Sequence, residues 1–449
     1  MRKYIVIVCC LMTTCYTFGQ NPWTFRECVD FALKNNIEIK QQDLQVKNAE
    51  VNLNSSKNSR LPNLEGGIGQ NFSFGRSQSM ATGIYEENKA SSTNFSLSSG
   101  LPIFTGFRIP NQIKSDEMSL KSAAEGLLKV QQDLQMQISS YFLDILFKKE
   151  ILKVYEEQAN LTQTQVDRTQ ILVDNGKVAL SQLFDIKAQY AKDLLNVTTA
   201  DNDLKTSLLN LAQLLNLRSA NDFDIQIPNI DAMFTAGSLS FSGVSVPEEV
   251  YQTAIEIKPH VKEASYKVES SKYNLKVAQA GYWPTLSLGL SYNNGFNHIY
   301  DLAEGYSNDP IGRQLKNNYR AVIGLSLNIP IFDRFDTRNK VRQARLDIQN
   351  QDLNLINVKL NLYKEIQQAY QNAIAAQAKY ISTEKAYDAA AESFKYAEER
   401  YQIGKSTVFE YNEAQTKLIT SRSEQIQAKY ELVFSSKILD FYKGKEIDI

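Results

Sequence analysis

Apolar residues recur through residues 107–175 at seven-residue steps, Leu120, Leu127, Leu134 and Tyr141, with Ile138, Ile145 and Leu152 beside them. That spacing is the seam of a coiled coil, in which one apolar stripe faces a partner helix. The run holds no proline after Pro110 and no glycine between Gly126 and Gly176, and a second run, 335–402, holds neither residue. At 1.5 Å of rise per residue each predicts a helix about 100 Å long, a rod rather than a core helix. Shorter helical runs flank the rods, 23–60 and 179–216 about the first, 247–282 and 407–442 about the second. Two short runs end to end match one rod in length.

Between each first short run and its rod the period changes from 3.6 to 2. Leu64, Gly66, Ile68, Gln70, Phe72 and Phe74 alternate with small or polar residues, as do Phe95, Leu97, Ser99, Leu101 and Ile103 after a polar loop. The later segment is cleaner: Leu286, Leu288, Leu290 and Tyr292, then Ala321, Ile323, Leu325, Leu327 and Ile329, against Ser287, Gly289, Ser291, Gly324 and Ser326. This predicts four strands in two hairpins, each strand about ten residues, which crosses a bilayer when tilted. Aromatics bracket the ends, with Phe104, Phe107, Trp283, Phe332 and Phe335 on the helix side and Phe72, Phe74, Phe95, Tyr292, Phe296 and Tyr319 on the loop side. Matched aromatic belts around an apolar band point to an outer-membrane barrel. A half-buried soluble sheet would alternate in the same way, but has no need of belts. Four strands cannot close a barrel, and an open edge in hydrocarbon leaves backbone groups unpaired, so self-association is expected.

The two halves echo each other at an offset of 228 positions: "LPIFTGFR" returns as "IPIFDRFDTR", and "LVDNGKVALSQLFDIKAQ" as "YQIGKSTVFEYNEAQ". Gly176 and Gly404 stand where each rod must fold back on its return helix, and glycine takes the left-handed conformation that ends a helix. The resulting map is a first repeat, 20–217, holding β-hairpin 62–104, long helix 107–175 and return helix 179–216. A connector, 218–246, leads to a second repeat, 247–443, holding β-hairpin 284–332, long helix 335–402 and return helix 407–442, and then a tail, 444–449.

Residues 1–19 carry two cations, an apolar run and small residues before a cut at Gln20, the pattern of a secretory signal peptide. Cys9, Cys10 and Cys15 leave with it, and Thr14 and Met12 make a poor lipoprotein cleavage site. Cys28 remains, at apolar helix spacing in "FRECVDFAL", where a buried small hydrophobe is expected rather than a working thiol. No segment offers 18 unbroken apolar residues, so no transmembrane helix is expected. A net charge of −1 gives no electrostatic case for nucleic acid. His260 and His298 lack ligand-spaced neighbours, the acids Asp301, Glu304 and Asp309 read as solvated surface, and neither a catalytic motif, a metal site nor a cofactor site is found.

Taken together, the leader, the Trp23-Thr24 start, the doubled hairpin and rod, the Pro102-Ile103-Phe104 and Pro330-Ile331-Phe332 entries and the doubled glycine tips resemble the TolC family of outer-membrane efflux proteins. The resemblance covers essentially the whole mature chain. It implies a mainly α-helical homotrimer, with four strands per chain in a 12-stranded outer-membrane β-barrel continued by a periplasmic α-barrel. The implied activity is that of a passive duct in tripartite efflux or type I secretion. The implied partners are a periplasmic adaptor, an inner-membrane transporter of the resistance-nodulation-division (RND) type, and outer-membrane lipid. In the family, acidic residues six and nine places after the second tip glycine ring the pore; here these are Glu410 and Glu413. The family's closing tyrosine matches Tyr401, and Lys405-Ser406 stands where better-known members place an arginine. The corresponding first-repeat positions are Gln182 and Asp185, so the latch would run from Tyr401 to Gln182. A surface-attached coiled-coil scaffold is the alternative from another class; it explains the rods but not the belts.

Overall fold

The computed structural model describes residues 22–78, 83–218, 223–228, 246–300, 302 and 305–447. The expected signal peptide, most of the connector, Asp301 and Glu304 lie outside the described residues. In chain order the elements are α1 (Phe25–Asn35), α2 (Ile37–Asn58), β1 (Glu65–Gln78), β2 (Tyr85–Thr105), α3 (Arg108–Asp174), α4 (Leu180–Leu214), α5 (Pro247–Ile257), α6 (Pro259–Gln279), β3 (Thr285–Ile299), α7 (Ile311–Asn317), β4 (Arg320–Asn328), α8 (Asp336–Gln402) and α9 (Val408–Tyr442). They divide into two compact units, one drawn from the described residues of Met1–Asp43, Gly126–Val261 and Val358–Ile449, the other from Leu44–Glu125 and Lys262–Asn357.

In the second unit the strands form one antiparallel sheet in the order β1-β2-β3-β4. Register sorts the side chains by face. Leu286, Leu288 and Leu290 of β3 stand opposite Leu327, Leu325 and Ile323 of β4, while Ser287, Gly289 and Ser291 stand opposite Ser326, Gly324 and Val322. The apolar row continues through Leu101↔Leu288 and Leu97↔Tyr292 into β2, and through Ile68↔Phe95 into β1. Because side chains alternate with period 2, one face is apolar and the other small and polar over most of the sheet.

Four details depart from the pattern expected of the strands. β1, β2 and β3 run 14, 21 and 15 residues rather than about ten, so Phe72, Phe95 and Tyr292 lie within strands and not at their loop-side ends. Ile103 is the extra residue of a β-bulge, since Pro102 pairs with Ser287 and Phe104 with Leu286. The bulge flips the alternation, so Phe104 rather than Ile103 joins the apolar face; Pro102, lacking an N–H, suits such a break. β4 ends at Asn328 rather than 332, ahead of Pro330. Helix α7 fills what the sequence offered only as loop, and Gln314 both accepts from Asn297 N–H at 2.8 Å and donates to its carbonyl at 2.9 Å. A side-chain amide thus satisfies backbone that nine-residue β4 is too short to reach.

The strand-to-helix connections are sharp. Gly106 and Phe107 have φ of 62° and 65°, and Arg334 and Phe335, at the same places before α8, have φ of 57° and 66°. A Cβ at Gly106 would meet the Ala280 carbonyl oxygen and the Trp283 Cβ, each at 2.7 Å. Below the sheet, α3 and α6 meet along buried hydroxyls: Ser115 Oγ lies 3.0 Å from Ser270 Oγ and donates to Asn274 Oδ1 at 2.7 Å. Such small residues let two helices approach closely with every polar group partnered.

In the first unit, Phe25, Cys28 and Ala32 of α1 are buried together with Ile138, Phe142 and Ile145 of α3. Phe25 meets Phe142 edge to face at 5.5 Å. Cys28 is 0% exposed, and burial pushes its thiol up to about 12, which keeps it protonated and inert. Trp23 forms a parallel bridge to Ile225, and Lys149 pairs with Asp224 at 2.5 Å, so residues 224–225 are fastened to Trp23 and to α3.

The first short helical run of each repeat, 23–60 and 247–282, expected to be continuous, is broken. Asn36 caps α1 and α2 at once: its N–H donates to Ala32 O at 2.8 Å, and its Oδ1 accepts from Glu38 N–H at 2.8 Å. Lys258 is extended (φ −70°, ψ 127°) because it precedes Pro259. The break buries Lys258 at 3% exposure, where its Nζ donates to the Phe441 carbonyl at 2.8 Å and lies 3.1 Å from the Phe441 ring centroid. Asp133 and Glu365 face the same amine, and the Tyr442 hydroxyl donates to Glu365 at 3.3 Å. Desolvation pulls the Lys258 pKa from its ordinary 10.5 down to about 7, against the pull of both carboxylates. Between those values the unfolded chain holds the proton and the folded chain does not, so this group makes stability rise with pH from about 7 to about 10.5. His260 and Lys129 line the same cavity. In a pH series of thermal unfolding, the Lys258→Met variant is therefore expected to lack that rise relative to wild type. Parallel curves would mean that Lys258 stays charged throughout.

Candidate functional site at the helical tips

Where α3 ends, the Gly176 N–H donates to Val173 O at 2.8 Å and the Lys177 N–H to Leu172 O at 2.9 Å. Where α8 ends, the Gly404 N–H donates to Tyr401 O at 3.1 Å and the Lys405 N–H to Arg400 O at 2.8 Å. Both are Schellman closures, which need a left-handed residue; Gly176 has φ 67° and Gly404 φ 75°. Two residues further on each chain turns into its return helix.

The tips share a core. Val166 of α3, Leu183 and Ile186 of α4 and Val408 of α9 are buried together, with Val173, Tyr190 and Tyr401 packed against them. Gln182 and Asp185 flank Leu183 and Ile186 on α4, the first half-buried and the second exposed. Glu410 and Glu413 follow Val408 on α9, both exposed, three residues apart and so on one face of the helix.

The return helices begin differently. Thr407 caps α9 in a reciprocal box: its Oγ1 accepts from the Glu410 N–H at 3.2 Å, and Glu410 Oε2 accepts from the Thr407 N–H at 3.3 Å. Ser406 Oγ donates to the same oxygen at 2.5 Å, and Arg400 Nη2 stands 4.0 Å away. These partners, the Ser406 hydroxyl first, hold the Glu410 carboxyl below the usual carboxylate range. On α4 the capping position is Ala179, which has no side-chain bond, and Gln182 occupies the place that Glu410 takes on α9. The box is legible as T-x-x-E from Thr407 to Glu410, a signal that the sequence reading did not use; Ser406 was named there only at the place of the family's arginine, and Arg400 not at all.

Tyr401 stacks on Tyr411, ring centroids 4.9 Å apart and planes at 29°. Among the described residues no hydrogen bond joins Tyr401 to Gln182 within the protomer, and the Lys405 side chain is exposed. Tyr411 is itself 3% exposed, and its hydroxyl faces the Gln165 side chain. Burial raises the Tyr411 pKa well above the ordinary tyrosine value. Among the described residues no group of His, Cys, Asp and Glu could hold a metal, and no helix is long and apolar enough to cross a membrane.

The sheet with one apolar and one small-polar face and the hairpin tips that gather acidic and aromatic residues are the features expected above of an outer-membrane channel protomer. The sequence matches the outer membrane efflux protein family over residues 29–217 and 250–444, and the chain belongs to that family. Among curated relatives, outer membrane protein TolC of Escherichia coli is 21% identical over 97% of this chain and 85% of its own. Outer membrane efflux protein BepC of Brucella suis is 20% identical over 91% of this chain and 82% of its own. The solved structure of the transmembrane channel CusC superposes with a TM-score of 0.78 at 17% identity, covering 94% of this chain and 92% of that one. The Campylobacter jejuni CmeC outer membrane channel superposes with a TM-score of 0.75 at 18% identity, covering 95% and 87%.

Proposed function

We infer that this chain is one protomer of a passive outer-membrane efflux duct, conducting substrates that an energised partner delivers. The protein is located in the outer membrane, with a large periplasmic extension, and the family it belongs to is one of channels rather than enzymes. The observation that carries the reading is the four-stranded sheet, ordered β1-β2-β3-β4, whose two outer edges have no partner strand among the described residues. Each unpaired backbone group would cost several kcal/mol in hydrocarbon. Three copies joined β4 to β1 close a 12-stranded barrel with the apolar face toward lipid and the serine-glycine face toward the lumen. A coiled-coil scaffold has no use for such a sheet.

Residues 20–217 and 247–443 act as two copies of one unit, which the matching left-handed pairs 106–107 and 334–335 support. The partners are a periplasmic adaptor and an inner-membrane transporter of the RND type. Glu410 and Glu413 line the periplasmic constriction, with Tyr401, Lys405, Gln182 and Asp185 as the neighbouring residues of its closed state. The tip core supports this by gathering both hairpin ends in one place.

The membrane fraction should yield a trimer that survives detergent and falls to monomer only on boiling, and that opens conducting pores in planar bilayers. A stable, non-conducting monomer would overturn the reading.

A further inference from the structure

Helix α8 starts with a basic face. Arg338, Arg342 and Arg345 recur at helical spacing, so they lie on one side of its first turns. Nearby carboxylates are occupied: Asp336 pairs with Lys340 at 2.5 Å, and Asp333 accepts from the Thr337 N–H at 2.8 Å. Among the described residues, none of the three arginines has a carboxylate partner. They border a cavity of about 440 Å³, whose wall also includes Tyr282, Trp283 and the buried Val341.

The position of this cavity matters as much as its charge. Trp283 ends the segment that leads into β3, and it stacks edge-on with Phe107 at 6.3 Å, which in turn meets Phe104 at 5.2 Å. On the other flank Arg338 lies 5.8 Å from the Phe335 ring, and Phe335 meets Phe332 at 5.5 Å. Tyr282, Trp283, Phe107, Phe332 and Phe335 are all exposed. Exposed aromatics at strand ends mark the headgroup level of a bilayer, and the apolar face of β3 begins three residues beyond Trp283, at Leu286. Guanidinium groups bind phosphate through paired N–H donors.

We propose that the cavity between the α6 end and the start of α8 seats the phosphate of an anionic phospholipid from the periplasmic leaflet, its acyl chains running along the apolar face of β3 and β4. Three uncompensated cations select a lipid of net negative charge over a zwitterionic one, and the neighbouring aromatic belt fixes its depth. The inference rests on the membrane placement of the sheet and goes beyond it by assigning lipid selectivity.

Trp283 is a built-in reporter, because the chain has only one other tryptophan, Trp23. Full-length protein carrying Trp23→Phe is reconstituted into phosphatidylcholine nanodiscs containing increasing fractions of brominated phosphatidylglycerol or brominated phosphatidylcholine. Half-quenching should need at least roughly tenfold less of the anionic lipid, a preference that falls by roughly fivefold for each of Arg338→Gln, Arg342→Gln and Arg345→Gln and weakens in high salt. Equal quenching by the two lipids in the unsubstituted cavity would overturn the proposal, whether or not the arginine variants assemble. Displacement of phosphatidylglycerol from the solubilised trimer by millimolar inorganic phosphate would overturn the lipid assignment in favour of a free-phosphate site. Protein that never enters the discs would instead overturn the membrane reading on which the inference stands.

Discussion

Leu288→Arg and Leu325→Arg are each expected to destabilise the assembled protein by about 2–4 kcal/mol, the usual cost of a cation on the lipid face near the bilayer midplane. Ser287→Arg and Ser326→Arg, one residue away on each strand, should assemble and change conductance instead. The ground is register: Leu288 pairs with Leu325 and, on its other side, with Leu101, whereas Ser287 pairs with Ser326. The leucines form a row across three strands on one face of the sheet, and Leu325 is 68% exposed there. Behind them the Gly100, Gly289 and Gly324 row leaves room on the opposite face for a longer side chain. Trimer melting in detergent measures the first effect and single-channel current the second. Equal losses on both faces would mean that the two faces do not divide into a lipid side and a water-filled side.

What the sequence disclosed follows from the range of the interactions involved. Long helices and strands repeat one instruction many times, so Leu120 to Tyr141 and Leu286 to Tyr292 could be read without knowing what they touch. The glycine tips were equally legible, because Gly176 and Gly404 answer a backbone requirement that few residues meet. Single events were harder. The bulge at Ile103 depends on which neighbour each residue pairs with, and Pro-Ile-Phe reads the same with or without it. The break at Lys258 had a local signal in Pro259, but the burial of that lysine did not, since Asp133, Glu365 and Phe441 come from three other helices. A single lysine reads as surface until the fold brings those helices together. At the tips, the residue types at Glu410 and Glu413 were visible, whereas the hydroxyl and guanidinium partners of Glu410 required the turn geometry of Lys405-Ser406-Thr407.

Replacing Glu410 and Glu413 together by glutamine is expected to abolish cation preference in the conducting trimer and to weaken block by multivalent cations, while trimer and barrel stay intact. Threefold symmetry would gather six carboxylates at one level of the pore, and like charges so crowded raise one another's proton affinity and draw in counter-ions. The local bonds of Glu410 act in the opposite sense. Ser406 and the Thr407 N–H stabilise its ionised form, which opposes the effect of crowding at Glu410. Those same bonds make the test clean, because glutamine at this position of a capping box still reaches back to the Thr407 N–H. The double variant therefore removes charge without removing the helix cap. Reversal potentials in a potassium chloride gradient measure the selectivity, and titration with a trivalent cation measures the block. A double variant that keeps the wild-type selectivity would place both carboxylates on a solvated outer face, and the capping box alone would then account for Glu410.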